Sequence, residues 1–330
     1  MKEIFDNPVV YAAKYNDEER IRSQSGGLFA AISDEILENN GVVYGCLFDK
    51  EFQAVHSRAT SKDKRDAMRY SKYVQSNMLS VMQEIESDLL EGRKVLFSGT
   101  SCQVAGVKNY IRCKDETLLA NLFFVDIVCH GVPSPMVWRD YLLWESTRVG
   151  DRISAVICRN KQKYGWHSHV TTIQFENGSM VDSKVFPRIF YTHNALRPAC
   201  SKCPYKSVIH PGDVTIADYW GIEKAAPDFE DDKGVSLVMI NNHKGADMFD
   251  ACRVKLRYEK TSLMDSMQAP LIRPYDAPKT REQFWKDYNN HSFLYIAKKY
   301  GSYGFVASFK RKVKNMMNKV KQVIRVSGNV

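Results

Sequence analysis

The sequence predicts an α/β protein with a mixed sheet: a strand–helix alternating N-terminal half, a strand-rich C-terminal half packed on it, and a basic C-terminal helix. Three observations predict this. Short apolar runs, "GVVYGCLFD", "KVLFSG" and "NLFFVDIVC", alternate with stretches whose apolar residues recur at helical spacing. From Arg152 onward the texture is strand-like, with "ISAVICR", "HVTTIQF", "SMVDSKVF", "DVTIADYW", "VSLVMINN" and "RVKLRYE" in close succession. No Pro/Gly-rich linker marks the change, so residues 1–150 and 151–309 are expected to pack together, with 310–330 as a tail.

The elements follow in order. After "SQSGG", Leu28, Phe29, Ile32, Ile36 and Leu37 share one face of a helix whose start is marked by small residues. "GVVYGCLFD" reads as a strand, and a helix over 78–90 has Leu79, Met82, Ile85, Leu89 and Leu90 as its apolar residues. "KVLFSG" then delivers the chain to Cys102, where another helix begins. "NLFFVDIVC" is apolar enough to be buried on both faces and ends at Cys129. "HGVPSP" stops it, and 136–144 reads as helix with Val137, Trp138, Tyr141 and Leu142 inward. In the second half "ENGS" is a hairpin turn, because Asn-Gly tolerates positive φ.

The chain has 330 residues and a net charge of +9, but seven Lys or Arg and no acid lie within residues 310–325. The remainder is nearly neutral, which argues against nucleic acid as a partner. Val313, Met316, Met317, Val320 and Ile324 recur at helical spacing in that tail, a basic amphipathic helix suited to an anionic membrane surface, to an acidic partner, or simply to docking on its own body. The first residues mix acids and bases and lack a secretory h-region, so a cytoplasmic location is expected, with peripheral contact at the inner membrane surface through 310–325 as an extension.

Eight cysteines in such a chain point to metal or catalytic use of some of them rather than to a disulfide framework. Cys46, Cys113, Cys158 and Cys252 read as small buried hydrophobes. Cys102 and Cys129 each end a strand and precede a helix, at a separation that suits one βαβ crossover. If the strands are parallel, both turns emerge at the same carboxyl edge, where α/β folds place ligands. "RPACSKCPYK" adds a C-x-x-C at Cys200 and Cys203. Four thiolates on one centre mean an iron–sulfur cluster or a structural zinc, with a dithiol redox pair as a third reading. Catalysis by Cys129 is weaker, because His130 follows it in extended chain and points to the opposite face; that His reads as a turn residue bonded to backbone.

"SGGLF", "SKYVQS", "GTSCQVAG", "CHGVPSP", "LRPACSKCPY" and "DVTIADYWG" together, in this order, resemble the coenzyme F420 hydrogenase/dehydrogenase beta subunit family, from about residue 10 to about residue 240. The resemblance implies an oxidoreductase that binds FAD beside one 4Fe-4S cluster and passes electrons among cluster, flavin and substrate. Cluster ligands fall on Cys102, Cys129, Cys200 and Cys203. FAD falls to Ser25, Gly26, Gly27, Lys72, Tyr73, Ser76, Gly99 and Thr100; a glycine pair opening a helix lets backbone approach a pyrophosphate, and a lysine supplies the counter-charge. Three departures bear on this. Residues 1–45 hold no cysteine, whereas many bacterial relatives carry a ferredoxin-like segment there, so a separate electron donor such as a ferredoxin is implied. Ser101 stands where relatives usually have proline. The deazaflavin of the family's name, coenzyme F420, is absent from most bacteria, so membership does not itself imply it. Bacterial relatives often sit in surface-polysaccharide settings, which suggests a small-molecule or sugar substrate. Asp218, at the end of a strand beside Tyr219 and Trp220, is the candidate proton donor, whereas Asp213 reads as a turn cap. Trp166 and His167 are read equally as pocket lining or as solvated hairpin residues. The rival reading is a non-catalytic zinc protein docked to a membrane-associated assembly.

Overall fold

The structure, a computed structural model, describes residues 5–304 apart from residue 79. The basic helix expected at 310–325 lies outside the described residues. Among those described there are eleven strands: β1 (Val9–Lys14), β2 (Val42–Phe48), β3 (Ala54–Ala59), β4 (Val95–Thr100), β5 (Leu122–Ile127), β6 (Ile153–Ile157), β7 (Thr171–Phe175), β8 (Met180–Ser183), β9 (Val214–Asp218), β10 (Ser236–Ile240) and β11 (Arg257–Thr261). Eight form one mixed sheet in the order β11-β1-β10-β9-β5-β4-β2-β3, and β6-β7-β8 form a second, antiparallel one. No described helix is long and apolar enough to cross a membrane.

At the centre, β2, β4, β5 and β9 run parallel. Their side chains alternate between two cores, as the two-residue strand period requires. Val43, Leu96, Val125 and Val214 face the helices Leu28–Glu38 and His243–Cys252. Val42, Tyr44, Val95, Phe97, Leu122 and Phe124 face the helices Val81–Leu90 and Ser101–Lys114. Helices on both faces are what make these strands read as continuous apolar runs. The smaller sheet packs with the helices Pro135–Val149, Val185–Tyr191, Arg281–Asn290 and Phe293–Lys299 around Trp138, Tyr141, Phe186 and Phe284.

The α/β class and the crossover between Cys102 and Cys129 are as expected, with Gly99 and Thr100 of β4 level with Asp126 and Ile127 of β5. The division near residue 150 does not separate two sheets. The large sheet takes β9, β10 and β11 from the C-terminal part, and the N-terminal β1 inserts between β10 and β11. Neither β1 nor β3 is conspicuous in the sequence. "SMVDSKVF" is a strand only as far as Ser183, whose hydroxyl accepts the Val185 N–H and turns the chain into a helix.

Gly26 shows how tightly β1 and β10 hold the turn before the first long helix. A Cβ there would lie 2.1 Å from the Ala13 carbonyl oxygen and 2.6 Å from the Ser236 nitrogen. Gly26→Ala should therefore lower folding stability by about 3 kcal/mol, as overpacking against backbone does, read from the urea midpoint.

Candidate functional site

The carboxyl ends of β4, β5 and β9 open on a cavity of about 1200 Å³. It is lined from these strands by Gly99, Thr100, Ile127, Val128, Ile216 and Asp218, and from outside them by Ser25, Gly27, Lys72, Tyr73 and Ser76. This is the edge at which parallel α/β sheets bind ligands.

The cysteines come to its rim by different routes. Cys102 is the second residue of the Ser101–Lys114 helix; it is exposed, with the Thr100 hydroxyl 3.2 Å from its sulfur. Cys129 lies two residues beyond β5 and lines the cavity. The C-x-x-C arrives because the segment around residue 196 pairs with the turn after Cys129. Pro133 and Leu196 form an antiparallel bridge, Ser134 N–H donates to the Ala195 carbonyl (2.9 Å), and Arg197 N–H donates to the Val132 carbonyl (2.8 Å). Cys200 and Cys203 sit in and just after the 3-10 turn Pro198–Lys202. A Cβ on Gly131, at φ 131°, would lie 2.9 Å from Leu196 Cδ1, so a side chain there would push on the segment that leads to Cys200. Cys129 lies within electrostatic reach of Cys102 and Cys200, and Cys203 within reach of the same two. Burial pushes the Cys129 thiol up to about 12, against the pull of Lys206 and the Gly131 amide. The Lys206 ammonium donates to the His130 carbonyl (2.7 Å) beside Cys129, Cys200 and Cys203.

Downstream of the C-x-x-C, the chain is pinned beneath the Cys102 turn. His210 Nδ1 lies 3.0 Å from the Asp126 carboxylate and 3.1 Å from the Ser101 hydroxyl. Asp126 also accepts from Thr215 (2.6 Å), and both Asp126 and His210 are buried. Ser101 thus joins the turn that carries Cys102 to His210 through its hydroxyl.

The expected flavin residues divide. Gly27 (φ 91°) is the N-cap of the Leu28–Glu38 helix, has no side-chain cap, and faces the cavity. Gly26 does not line the cavity; its missing side chain serves the contact with β1 and β10, which corrects the expectation of a ligand-facing glycine pair. Lys72 lines the cavity, its ammonium held by the carbonyls of Arg69 (2.5 Å), Ala67 (3.1 Å) and Tyr70 (3.3 Å), and burial lowers it to about 8. The Ser76 hydroxyl links Gln103 Nε2 (2.8 Å) to His56 Nδ1 (3.0 Å), while His56 Nε2 faces the Ser98 carbonyl (3.1 Å). That carbonyl requires the proton on Nε2, so Ser76 donates to Nδ1 and the imidazole is neutral.

Asp218 is a correction in role. Its carboxylate accepts from the Ser25 hydroxyl, from Trp166 Nε1 (2.8 Å) and from Arg159 Nη1 (2.5 Å). Oxygens so occupied, with a guanidinium among the donors, make it an acceptor that holds three segments together rather than a proton donor. Trp166 is buried against Trp220, 5.0 Å between ring centroids, and neither it nor the exposed His167 lines the cavity. Asp213 accepts from Phe124 N–H and from Asn242, both at 2.8 Å, in the structural role expected of it.

Other expectations also change. Cys158 and Cys252 are buried, but Cys113 is exposed in the last helical turn and Cys46 is half-buried on the cavity wall beside Lys72. His130 bonds a second histidine, His193 (2.7 Å between Nε2 atoms), rather than backbone. Sequence reasoning missed Arg159, His56, Lys206 and Gln103. Only Gln103 had a local signal: Thr100-Ser101-Cys102-Gln103 is a capping-box pattern, and the Thr100 N–H does donate to Gln103 Oε1 (3.0 Å).

Residues 92–266 match the family described as the C terminus of the coenzyme F420 hydrogenase/dehydrogenase beta subunit. The chain belongs to this family. The matched region spans β5, β9, β10 and all four rim cysteines, although Ser25, Gly27 and Lys72 precede it. In fold, the protein is similar to a chain of the xenon-derivatised F420-reducing [NiFe] hydrogenase complex from Methanosarcina barkeri. The TM-score is 0.55 at 17% identity, over 79% of this chain and 84% of that one. No curated protein matches it.

Three cavity histidines are held neutral by burial: His56 and His169 are lowered to about 4 and His130 to about 3. The unfolded chain takes up these protons near pH 6.5 and the folded one only at lower pH, so stability is full above 6.5 and falls as the pH drops towards 4. Thermal unfolding between pH 7 and pH 4 should show this loss. His56→Gln should remove part of it, up to roughly 3 kcal/mol for that buried ring.

Proposed function

We propose that this chain is an iron–sulfur flavoprotein oxidoreductase that passes electrons between a 4Fe-4S cluster, FAD and a small-molecule or sugar substrate, with a separate carrier as electron donor. The carrying observation is that cysteines from three separate segments, Cys102, Cys129, Cys200 and Cys203, converge at the rim of one large cavity on the carboxyl edge of the parallel strands. The Cys203-Pro204 ending of the pair is that of ferredoxin ligand runs, which favours a cluster over zinc.

The cavity suits FAD on three counts. Its volume exceeds what a drug-sized ligand needs. The uncapped N-terminus of the Leu28–Glu38 helix at Gly27 faces it, where backbone N–H groups and the helix dipole favour a diphosphate. Lys72 adds a buried positive charge on the same wall. Bound there, cluster and flavin supply one-electron and hydride chemistry. The chain's own residues position: Asp218 fixes Ser25 and Arg159, Arg159 Nη1 donates to the Tyr73 hydroxyl (3.0 Å), and the His56–Ser76–Gln103 chain sets the wall below Thr100. Coenzyme F420 is not required by this reading.

Protein purified without oxygen should be brown-yellow and carry about four irons per chain and one releasable flavin, as a four-cysteine cluster and one FAD demand. Colourless protein with one zinc and no flavin overturns the proposal. Cys129→Ala should abolish iron retention while the fold, followed by circular dichroism, persists. A cysteine-nucleophile enzyme would instead keep its metal and lose turnover. Lys72→Met should weaken FAD binding about tenfold in a fluorescence titration of flavin-stripped protein, the size of one charge-assisted contact.

A further inference from the structure

Outside the cavity, a histidine and two carboxylates from different loops meet where no lysine or arginine answers them. His167 lies in the loop before β7, and Glu230 and Asp232 lie in the loop before β10. Each offers one ligand atom, and the three atoms lie within 4.8 Å of one another, with His167 Nε2 3.7 Å from Glu230 Oε1. Neither carboxylate has a Lys or Arg ion pair among the described residues, although Asp231 between them takes both Arg20 and Lys14. Glu230 Oε2 is buried and meets no hydrogen-bond donor, an arrangement that costs free energy unless a positive charge supplies what water would. Main-chain donors hold the other oxygens in place: Asp232 N–H donates to Glu230 Oε1 (2.8 Å), and Trp166 N–H donates to Asp232 Oδ1 (3.0 Å). The remaining oxygen of Asp232 sits where Gly165 has no side chain, and a Cβ there would collide with it. The His167 ring packs beside Trp220 and Trp166, at 5.6 and 5.0 Å between centroids, and is itself exposed.

We propose that His167, Glu230 and Asp232 form a binding site for one divalent transition-metal cation, Zn²⁺ foremost, which clips the two loops together. One imidazole and two carboxylates are a donor set that zinc takes, and the cation compensates both negative charges while water fills its open position. Ligand atoms on a tetrahedral ion with bonds of about 2.0–2.2 Å stand roughly 3.4 Å apart. The exposed imidazole is the member with room to close that difference. Both clipped loops reach the turn before the first long helix. Trp166 Nε1 donates to Asp218, which in turn holds the Ser25 hydroxyl. The other loop lies directly against the turn, since a Cβ on Gly234 would be 3.0 Å from the Ser25 main chain. A cation at the clip therefore stiffens the Ser25–Gly27 turn from outside the cavity. The site rests on neither the cluster nor the flavin reading, because its ligands are separate from both.

The test is Zn²⁺ uptake by protein purified without oxygen and passed over a chelating resin, in competition with a chromophoric chelator. Wild type is compared with His167→Gln, Glu230→Gln and a control, Asp228→Asn, on an exposed acid of the same loop. All of these proteins keep the same eight cysteines, so zinc taken by thiolates cancels in the comparison. Wild type and control should take one equivalent that the two ligand variants hold at least tenfold more weakly, because even an outer-shell partner of a metal ligand is worth about 10–100-fold. That equivalent should raise the thermal midpoint of wild type and control but not of the ligand variants. Circular dichroism without added zinc should be the same throughout, which separates lost binding from lost folding. Equal zinc uptake by all of the proteins overturns the proposal. So does an equivalent that Asp228→Asn weakens as much as His167→Gln does. If wild-type protein holds neither iron nor flavin the function proposed above fails, yet the difference in zinc uptake still decides this site.

Discussion

Main-chain hydrogen bonding between the turn after β5 and the segment before the C-x-x-C is the constraint on which the rest of the site depends. Cys102 and Cys129 are neighbours for a local reason, since β4 and β5 are adjacent and parallel. Nothing local brings Cys200 and Cys203 to them. That is done by Ser134 and Arg197, whose amides bond across the Pro133–Leu196 bridge, and by Arg281, which donates to the carbonyls of Asn194 (2.6 Å) and Leu196 (2.7 Å) from behind. His210 closes the far end on Asp126 and Ser101. A long loop costs little more entropy to close than a short one. Pinning both ends is therefore enough to deliver the pair, and backbone bonds do so without specifying the side chains between them.

A second hub holds the other end of the cavity. Asp218, at the end of β9, collects Ser25 from the turn before the first long helix, Trp166 from the loop before β7, and Arg159 from the end of β6. Arg159 is held in turn by the Tyr73 hydroxyl, the Trp166 carbonyl (2.8 Å) and the face of Trp220 at 5.3 Å. The pairing with Asp218 keeps a buried guanidinium from being left uncompensated, which is the costly arrangement. The small sheet is thereby tied to the large one at the cavity wall, and Ser25 and Tyr73 are fixed relative to each other although they come from different turns.

These dependencies explain what the sequence made legible. The parallel core was readable because buried strands are apolar runs and their helices keep a 3.6-residue period. The βα turns were readable because each ends in a cysteine followed by a turn or helix signal. β1 escaped notice because its position between β10 and β11 is a matter of long-range pairing, and "VVYAAK" is short and only partly alternating. β3 escaped because "AVHSRA" is an edge strand with a polar face. Asp218 was noticed as a carboxylate at a strand end, but its role is set by partners at residues 25, 159 and 166 that no spacing rule connects to it. Gly26 and Gly27 look identical in sequence; only the backbone behind them distinguishes the packing glycine from the one that faces the cavity.

The balance of charge gives the cavity its chemical character. Lys72 is lowered to about 8 and Lys161, held by the carbonyls of Arg20 (2.7 Å), Lys233 (2.8 Å) and Ser25 (3.2 Å), to about 7, both first of all because burial strips their water. Neither has a carboxylate as a hydrogen-bond partner; Asp218 is committed to Arg159 and Asp231 to Arg20 and Lys14, although both still act on Lys161 from a distance. Carbonyl oxygens satisfy the donors but do not cancel the charge, so the region around the Ser25–Gly27 turn carries a positive excess in a poorly screened place. The desolvation that depresses these lysines is also what strengthens their pull on an anion, because the same field acts through less water. An anionic group seated at the Gly27 turn would return Lys161, bonded to the Ser25 carbonyl, towards its ordinary affinity for protons. Proton uptake and anion binding are thus two sides of one equilibrium at this end of the cavity.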